Sequence, residues 1–292
     1  MNSRTRSILN LIRFPNVLTA AADPLAGFLL VSSDVSDWRR YTPVLLGSMF
    51  LYAGGVTLND VFDVEQDRRE RPNRPIPAGE FSRAGAAKLG STLILTGLAL
   101  QATVAFELVG AALILVAMIL AYDAGGKRTL VGPLLMGGCR ALNLSLGALA
   151  TGVTMRGSSI LAAVLLSVYV ASITLFAKTE SATSSKLRLR LGVMGVVLPF
   201  WALAALRRMN GIEYALALAI PILIMAYLAM VGQRAVDSGR SQDVQAAVKA
   251  FVLGIVAFDA CCVLREGNLW GAALVALLLI PSWIAARSLR VT

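Results

Sequence analysis

Three aspartates follow a long apolar run and are spaced for one face of a helix. Residues 59–67 read NDVFDVEQD, so Asp60, Asp63 and Asp67 lie three and four positions apart. On a helix, side chains with that spacing share a face. Carboxylates crowded at the end of a membrane helix repel one another and are costly to desolvate unless a cation holds them. The spacing therefore predicts a metal site formed by these three side chains.

The rest of the composition restricts which metal this site can hold. The chain has no histidine, and its three cysteines, Cys139, Cys261 and Cys262, lie inside apolar segments. A metal here must be hard and bound by oxygen, which indicates Mg²⁺ or Mn²⁺. Mg²⁺ held by one or two carboxylates usually completes its shell with waters and substrate phosphates. We therefore expect a phosphorylated ligand at a membrane face.

The composition is that of a membrane protein. Hydrophobic residues make up 57% of the 292 residues, and the mean hydropathy is +0.71. Soluble domains are about 45–50% apolar. Charged stretches are short and lie between apolar runs, which leaves no room for a separate soluble domain. We expect an all-α membrane bundle, with residues 1–292 forming one integral-membrane domain.

Ten apolar stretches have about the length that a helix needs to cross a bilayer, roughly 20 residues. The first follows a short basic start and is interrupted by Asp23-Pro24, so it is predicted to be a membrane helix rather than a cleaved signal peptide. The last two are separated only by residues 265–268. The chain has ten spans if both of them cross the membrane and nine if they do not. The stretches are 14–32, 42–61, 85–104, 106–122, 133–152, 159–178, 190–207, 213–231, 247–264 and 269–286.

The basic residues are distributed asymmetrically along this pattern. Most of the 27 lysines and arginines lie at the N-terminus, at the C-terminus and in alternate loops. By the positive-inside rule these segments are cytoplasmic, together with residues 59–67. We expect a bacterial inner-membrane location. Orientation and attraction to anionic membrane lipid account for the net charge of +10 without any nucleic acid.

A basic, proline-rich loop follows the aspartates. Residues 68–79 read RRERPNRPIPAG, and the prolines and glycine predict a short, stiff loop. Arg71 and Arg74 have planar donors suited to phosphate oxygens. The alternative is a solvated helix end with i,i+4 pairs such as Asp67–Arg71, which is what most charge runs are.

The pattern N-D-x-x-D-x-x-x-D followed by R-P-N-R-P-I-P-A-G resembles the first aspartate-rich motif of the UbiA superfamily. These are intramembrane prenyltransferases, among them 4-hydroxybenzoate polyprenyltransferase. Residues 13–16, RFPN, also resemble the family's opening, and the likeness extends along most of the chain in the order and length of its segments. The resemblance implies a helical prenyltransferase fold, a prenyl diphosphate donor, Mg²⁺, and a substrate-binding role for Asn59.

A second basic loop ends the fourth span. In residues 122–128, YDAGGKR, Tyr122, Lys127 and Arg128 resemble a tyrosine and Lys-Arg pair that the family uses for diphosphate binding. The lysine follows at five positions rather than the more usual four. The alternative is a positive-inside anchor, as most such pairs at span ends are.

The fifth span contains a charged residue in its middle. Arg140 and Asn143 are three positions apart and share a face, and a charge in a span almost always faces the bundle interior. Arg140 is expected to pair with Asp23 or Asp259. A structural ion pair and a direct contact with substrate remain open. This stretch looks closest to an EboC-like branch of the superfamily.

The chain departs from the family after the sixth span. The resemblance predicts a second aspartate cluster there, which in relatives helps to bind another Mg²⁺. In residues 174–186, TLFAKTESATSSK, only Glu180 is acidic, and Lys178 adds a positive charge nearby. Lys178 could replace part of the charge of a second metal. The loss could also mean weaker metal binding, an unusual substrate or lost catalysis.

The favoured function is Mg²⁺-dependent transfer of a prenyl group from a prenyl diphosphate to an aromatic or other lipophilic acceptor. The alternatives are a terpene cyclase on the same scaffold and a non-catalytic membrane binding or transport relative. Tyr122 or Phe62 could stabilise an allylic cation through its ring face. The catalytic candidates are Asp60, Asp63, Tyr122 and Lys127. The substrate-binding candidates are Asn59, Arg71, Arg74, Arg128, Arg140, Asn143 and Glu180.

Overall fold

The structure is a computed structural model that describes residues 3–32, 35–155, 157–178, 186–205 and 212–289. All regular secondary structure in these ranges is helical, as the composition predicts. The helices are α1 (Ser3–Leu11), α2 (Phe14–Val31), α3 (Trp38–Phe62), α4 (Val64–Glu70), α5 (Arg83–Ala102), α6 (Phe106–Asp123), a short 3₁₀ helix (Gly126–Arg128), α7 (Gly132–Ala150), α8 (Gly157–Ala177), α9 (Lys186–Ala205), α10 (Ile212–Ser238), α11 (Ser241–Arg265), α12 (Leu269–Leu277) and α13 (Leu279–Ser288).

The fold is the predicted membrane bundle. Each of the ten apolar stretches forms a helix over most of its described residues, and the last forms two, α12 and α13. Within the described ranges, eight helical segments are long and apolar enough to cross a membrane, with α12 and α13 together forming the last. The remaining two stretches, α5 and α7, have 20 and 19 residues but contain more small and polar residues. Large apolar side chains such as Leu113, Val164 and Leu223 are exposed on the outside of the bundle, where lipid would cover them.

Helix α2 lies at the centre of the bundle. Of its 18 residues, 89% are buried, and it packs against α3, α7 and α11. A helix that is buried on nearly all sides must be apolar or small almost throughout, and the sequence of α2, FPNVLTAAADPLAGFLLV, largely is. Its polar residues, including Thr19 and Asp23, are fully buried. These side chains must therefore find partners on neighbouring helices.

Two glycines let α2 and α7 approach to backbone contact. A Cβ atom added at Gly147 would lie 1.8 Å from the carbonyl oxygen of Pro24, and one at Gly27 would lie 1.9 Å from that of Leu144. No larger residue fits at either position without moving a helix. Membrane helices commonly use small residues in this way to bring their backbones together. The contact fixes the position of Arg140, which is two turns before Gly147 on α7.

Gly147→Ala is expected to lower the free energy of unfolding by about 1–3 kcal/mol, the usual cost of overpacking. Gly110→Ala is the matched control, because Gly110 also lies within a helix but nothing lies within 4 Å of its added Cβ. Alanine is a better helix former than glycine by roughly 1 kcal/mol. The free energy of unfolding of the control should therefore equal or exceed that of the unchanged protein. Denaturant titration in detergent measures both. Equal effects of the two substitutions would contradict the close helix contact.

Candidate functional site

The three aspartates do not lie on one uninterrupted helix. Helix α3 ends at Phe62 and α4 begins at Val64, with Asp63 between them at φ −90° and ψ 2°. Hydrogen bonding continues through the break, because the Asp63 N–H donates to the Asn59 carbonyl at 3.0 Å and the Asp67 N–H donates to the Asp63 carbonyl at 2.8 Å. Since the helix is broken, the spacing alone does not give the three side chains a common face.

Asp60 and Asp67 are held by two arginines. Arg13 donates to Asp60 Oδ1 at 2.9 Å, and Arg74 donates to the same oxygen at 3.1 Å and to Asp67 Oδ2 at 2.7 Å. Asp60, Asp67 and Arg74 are all buried. Burial raises the pKa of Asp67, and the charge of Arg74 opposes that shift. Burial also lowers the pKa of Arg74, and the nearby charge of Arg13 adds to this effect.

Asp63 pairs with the second basic loop. Lys127 Nζ donates to Asp63 Oδ2 at 2.7 Å. Close by, Asn59 Nδ2 donates to Asp123 Oδ1. These two contacts join the end of α3 to the end of α6 and to the 3₁₀ helix. Residues 59–63 and 122–128 therefore form a single site.

The turn that presents Lys127 requires glycine. Gly125 has φ 148°, in a region that L-residues rarely occupy. A Cβ at Gly126 would lie 2.7 Å from the carbonyl oxygen of Ala121. The Gly-Gly pair therefore allows the chain to turn back against α6, and the extra residue before Lys127 is accommodated in this turn.

A cavity of about 650 Å³ opens at this end of the bundle and extends between the helices. The apolar part of its lining includes Leu51, Val56, Leu115, Ile119 and Met136. Its charged lining has twice as many basic as acidic side chains among the described residues. The basic residues are Arg13, Arg71, Arg74, Lys127, Arg128, Arg140, Lys178 and Arg188, and the acidic residues are Asp63, Asp67, Glu70 and Asp123.

Deeper in the cavity, Arg140 belongs to a buried polar network. Its Nη1 donates to Asp23 Oδ2 at 2.8 Å, its Nη2 donates to Thr19 Oγ1 at 2.9 Å, and its guanidinium lies 5.5 Å from the centre of the Tyr52 ring. Asp23 is thus the direct partner of Arg140. The other candidate, Asp259, is fully buried, and neither of its carboxylate oxygens has a hydrogen-bond partner in the described part of the chain.

Pro24 explains why Asn143 belongs to this network. A proline inside a helix cannot donate to the carbonyl four residues earlier, so the Ala20 carbonyl lacks its usual helical partner. Asn143 Nδ2 donates to this carbonyl at 2.8 Å, and Ser48 Oγ donates to it at 3.0 Å. The proline therefore creates a polar position at the centre of α2 that α3 and α7 satisfy.

Most of the predicted site residues line this one cavity. Asp60 does not line it and lies behind Arg13 and Arg74, so its role as a metal ligand stays a prediction. Phe62, the other expected aromatic, is 46% exposed and is absent from the lining. Glu180 lies outside the described residues. The predicted residues that line the cavity are Asn59, Asp63, Asp67, Arg71, Arg74, Tyr122, Lys127, Arg128, Arg140 and Asn143.

Several charged or aromatic residues of this site were not predicted from the sequence. Arg13, Tyr52, Asp123 and Arg188 line the cavity but were not among the candidates. Asp123 stands beside Tyr122 and Arg13 opens the RFPN segment, so their positions next to recognised motifs were available signals. Tyr52 has no such signal, because an aromatic residue in an apolar span is indistinguishable from a packing residue.

The metal site differs from a preformed cluster of acids. Among the described residues, no three acidic, histidine or cysteine side chains are grouped closely enough to hold a metal ion on their own. Asp63 Oδ1 is nevertheless buried without a hydrogen-bond partner, and Asp63 and Asp67 both line the cavity. Mg²⁺ commonly uses one or two carboxylates and takes the rest of its shell from phosphates and water. The residues present fit such a metal.

The fold and the site define a helical membrane protein whose cavity is lined by cations at one end and by apolar side chains between the helices. The family model described as the UbiA prenyltransferase family matches residues 24–239. The chain belongs to this family. The EboC-like branch is not tested by this match and stays a prediction.

Curated relatives match about half of the chain or less. The digeranylgeranylglyceryl phosphate synthase of Saccharolobus solfataricus is 33% identical over 146 residues, which cover 50% of this chain and 52% of that protein. The enzyme of the same name from Methanocaldococcus jannaschii is 34% identical over 98 residues, covering 34% of this chain and 35% of the relative. The chain thus spans about half the length, or less, of these relatives.

Solved structures share the fold over most of the chain. A structure of digeranylgeranylglyceryl phosphate synthase covers 92% of this chain and all of its own, with a TM-score of 0.63 and 20% identity. A UbiA homologue from Archaeoglobus fulgidus, bound to GPP and Mg²⁺, covers 88% of this chain and 99% of its own, with a TM-score of 0.62 and 16% identity.

Arg140→Met is expected to lower the free energy of unfolding by roughly 3–5 kcal/mol, because it leaves Asp23 buried without its cation. Combining Arg140→Met with Asp23→Leu should recover most of this loss, since Asp23 is then no longer a buried charge without its direct partner. Denaturant titration of the two single variants and the double variant measures the coupling. Additive losses would mean that the two side chains do not stabilise each other.

Proposed function

We propose that this protein transfers a prenyl group from a prenyl diphosphate to an aromatic or other lipophilic acceptor, with Mg²⁺ as cofactor. The observation that carries the proposal is the cavity, in which the charged residues of two separate loops meet at one end and apolar side chains line the space between the helices. A prenyl diphosphate has the same two parts, an anionic head and a long apolar tail.

The charged end is suited to a leaving diphosphate. Lys127, Arg128 and Arg71 line it and can donate to phosphate oxygens. Asp63 and Asp67 would hold Mg²⁺, which supplies positive charge to the diphosphate as it departs. The Asp63–Lys127 contact at 2.7 Å places a cation beside the proposed metal ligand. Both positive charges then act on the same diphosphate.

The apolar walls serve the other half of the reaction. Breaking the allylic C–O bond leaves a carbocation, and the bundle excludes the water that would capture it. Tyr52 and Tyr122 both line the cavity, and their ring faces can stabilise a positive charge. The acceptor then forms the new bond to the prenyl carbon and loses a proton.

The acceptor in this proposal is aromatic or otherwise lipophilic. The names of the relatives indicate a product that contains a glyceryl phosphate, which is a different class of acceptor. The polar group of an acceptor could contact Arg140 or Asn143, which line the cavity. We further propose a bacterial inner-membrane location, with the N-terminus and the basic loops cytoplasmic.

Lys127→Gln is expected to lower the rate of prenyl transfer by about 10²–10³-fold, because it removes a charge that stabilises the departing diphosphate. Lys88→Gln is the matched control, since Lys88 is exposed and lies outside the cavity lining. The assay is diphosphate release by purified protein with prenyl diphosphates of several chain lengths and a panel of aromatic and other lipophilic acceptors. An unchanged rate for Lys127→Gln would contradict the assigned diphosphate site.

Removal of divalent metal is expected to abolish turnover, and addition of Mg²⁺ should restore it, because the carboxylates and the diphosphate otherwise repel each other.

The same assay with donor alone separates the candidate functions. A cyclase would release diphosphate and form a cyclic product without an acceptor. Folded protein that releases no diphosphate from any donor would support the non-catalytic alternative and overturn the proposal.

A further inference from the structure

Two carboxylate oxygens at the junction of α3 and α6 are buried and have no hydrogen-bond partner among the residues that the structure describes. They are Asp63 Oδ1 and Asp123 Oδ2. Asp123 is only 5% exposed, and both residues line the cavity. A buried oxygen left without a donor is costly, so this pair requires an explanation that packing alone does not provide.

The two carboxylates are close in space although they are far apart in sequence. Asn59 lies one helical turn before Asp63, whose N–H donates to the Asn59 carbonyl at 3.0 Å. The side chain of Asn59 reaches Asp123 and donates to its Oδ1. Asn59 therefore holds Asp123 within about one helical turn of Asp63 and leaves its second oxygen available.

The nearest basic side chains donate hydrogen bonds to other oxygen atoms. Lys127 donates to Asp63 Oδ2 at 2.7 Å, and Arg13 and Arg74 donate to Asp60 and Asp67. The two remaining oxygens come from different helices and line one cavity. A hard divalent cation accepts this donor set, because it prefers carboxylate oxygens and can complete its shell with phosphate and water.

We propose that Asp123 is a ligand for a divalent cation, which it binds together with Asp63 at the α3–α6 junction. The proposal rests on the proposed function, because the phosphate that would complete the shell is that of the donor. It adds Asp123 to Asp63, which the proposed function already gives as a metal ligand. Asn59 then acts as a positioning residue that orients the Asp123 carboxylate.

The test counts bound metal rather than turnover. Mn²⁺ is the probe, with saturating inorganic pyrophosphate, and the Mn²⁺ bound per chain is measured by ultrafiltration and elemental analysis against a protein-free blank. Asp123→Asn should bind one Mn²⁺ fewer per chain than the unchanged protein. Glu70→Gln is the matched control, because Glu70 also lines the cavity but already accepts a hydrogen bond from Gln66 at 3.0 Å. It should bind the full number.

A second measurement separates lost ligation from lost folding. Without metal, the nearly isosteric Asp123→Asn should unfold at the same temperature as the unchanged protein or higher, and Mn²⁺ with pyrophosphate should raise that temperature less. Equal Mn²⁺ counts for Asp123→Asn and the unchanged protein would overturn the role of Asp123 while leaving the proposed function intact. No Mn²⁺ bound by the unchanged protein would overturn both.

Discussion

The pair between Arg140 and Asp23 shows the constraint on which this structure depends. Both side chains lie on helices in the middle of the bundle, and their atoms are 2.8 Å apart. A charge in an apolar interior needs a nearby opposite charge, because water cannot reach it. Helices α2 and α7 must therefore stay in register, and the glycines that bring their backbones together allow this.

The same constraint operates at the mouth of the cavity, with different geometry. Asp60 and Asp67 share Arg74, whereas Asp63 pairs with Lys127 from a loop that is distant in sequence. The first set ties α3 and α4 to the proline-rich loop, and the second ties α3 to the region after α6. Charge pairing thus assembles a site from three segments that share no secondary structure.

Much of this arrangement could be predicted from the sequence, because the bilayer imposes a simple rule on composition. Long apolar stretches predicted the helices, and most of the side chains selected by motif resemblance line the cavity. The partner of Arg140 was left open, because both Asp23 and Asp259 lie within spans and the sequence does not show which helices are neighbours. The position of Asp60 was not predicted, because its separation from the cavity results from the helix break at Asp63 and from pairing with Arg13 and Arg74. The environment of Asp123 depends on the contact between α3 and α6, which no local pattern specifies.

The balance of charge in the cavity relates these pairs to ligand binding. Its described lining has eight basic and four acidic side chains, so positive charge remains after every acid is paired. An anionic head can bind to the remaining cations without breaking the buried Arg74–Asp67 pair. That pair can then stay in place during binding and keep the basic loop against the end of α3. A rigid arrangement of this kind lowers the reorganisation needed when negative charge develops on a leaving group. The ion pairs that stabilise the bundle are thus also the contacts that hold the site in its working geometry.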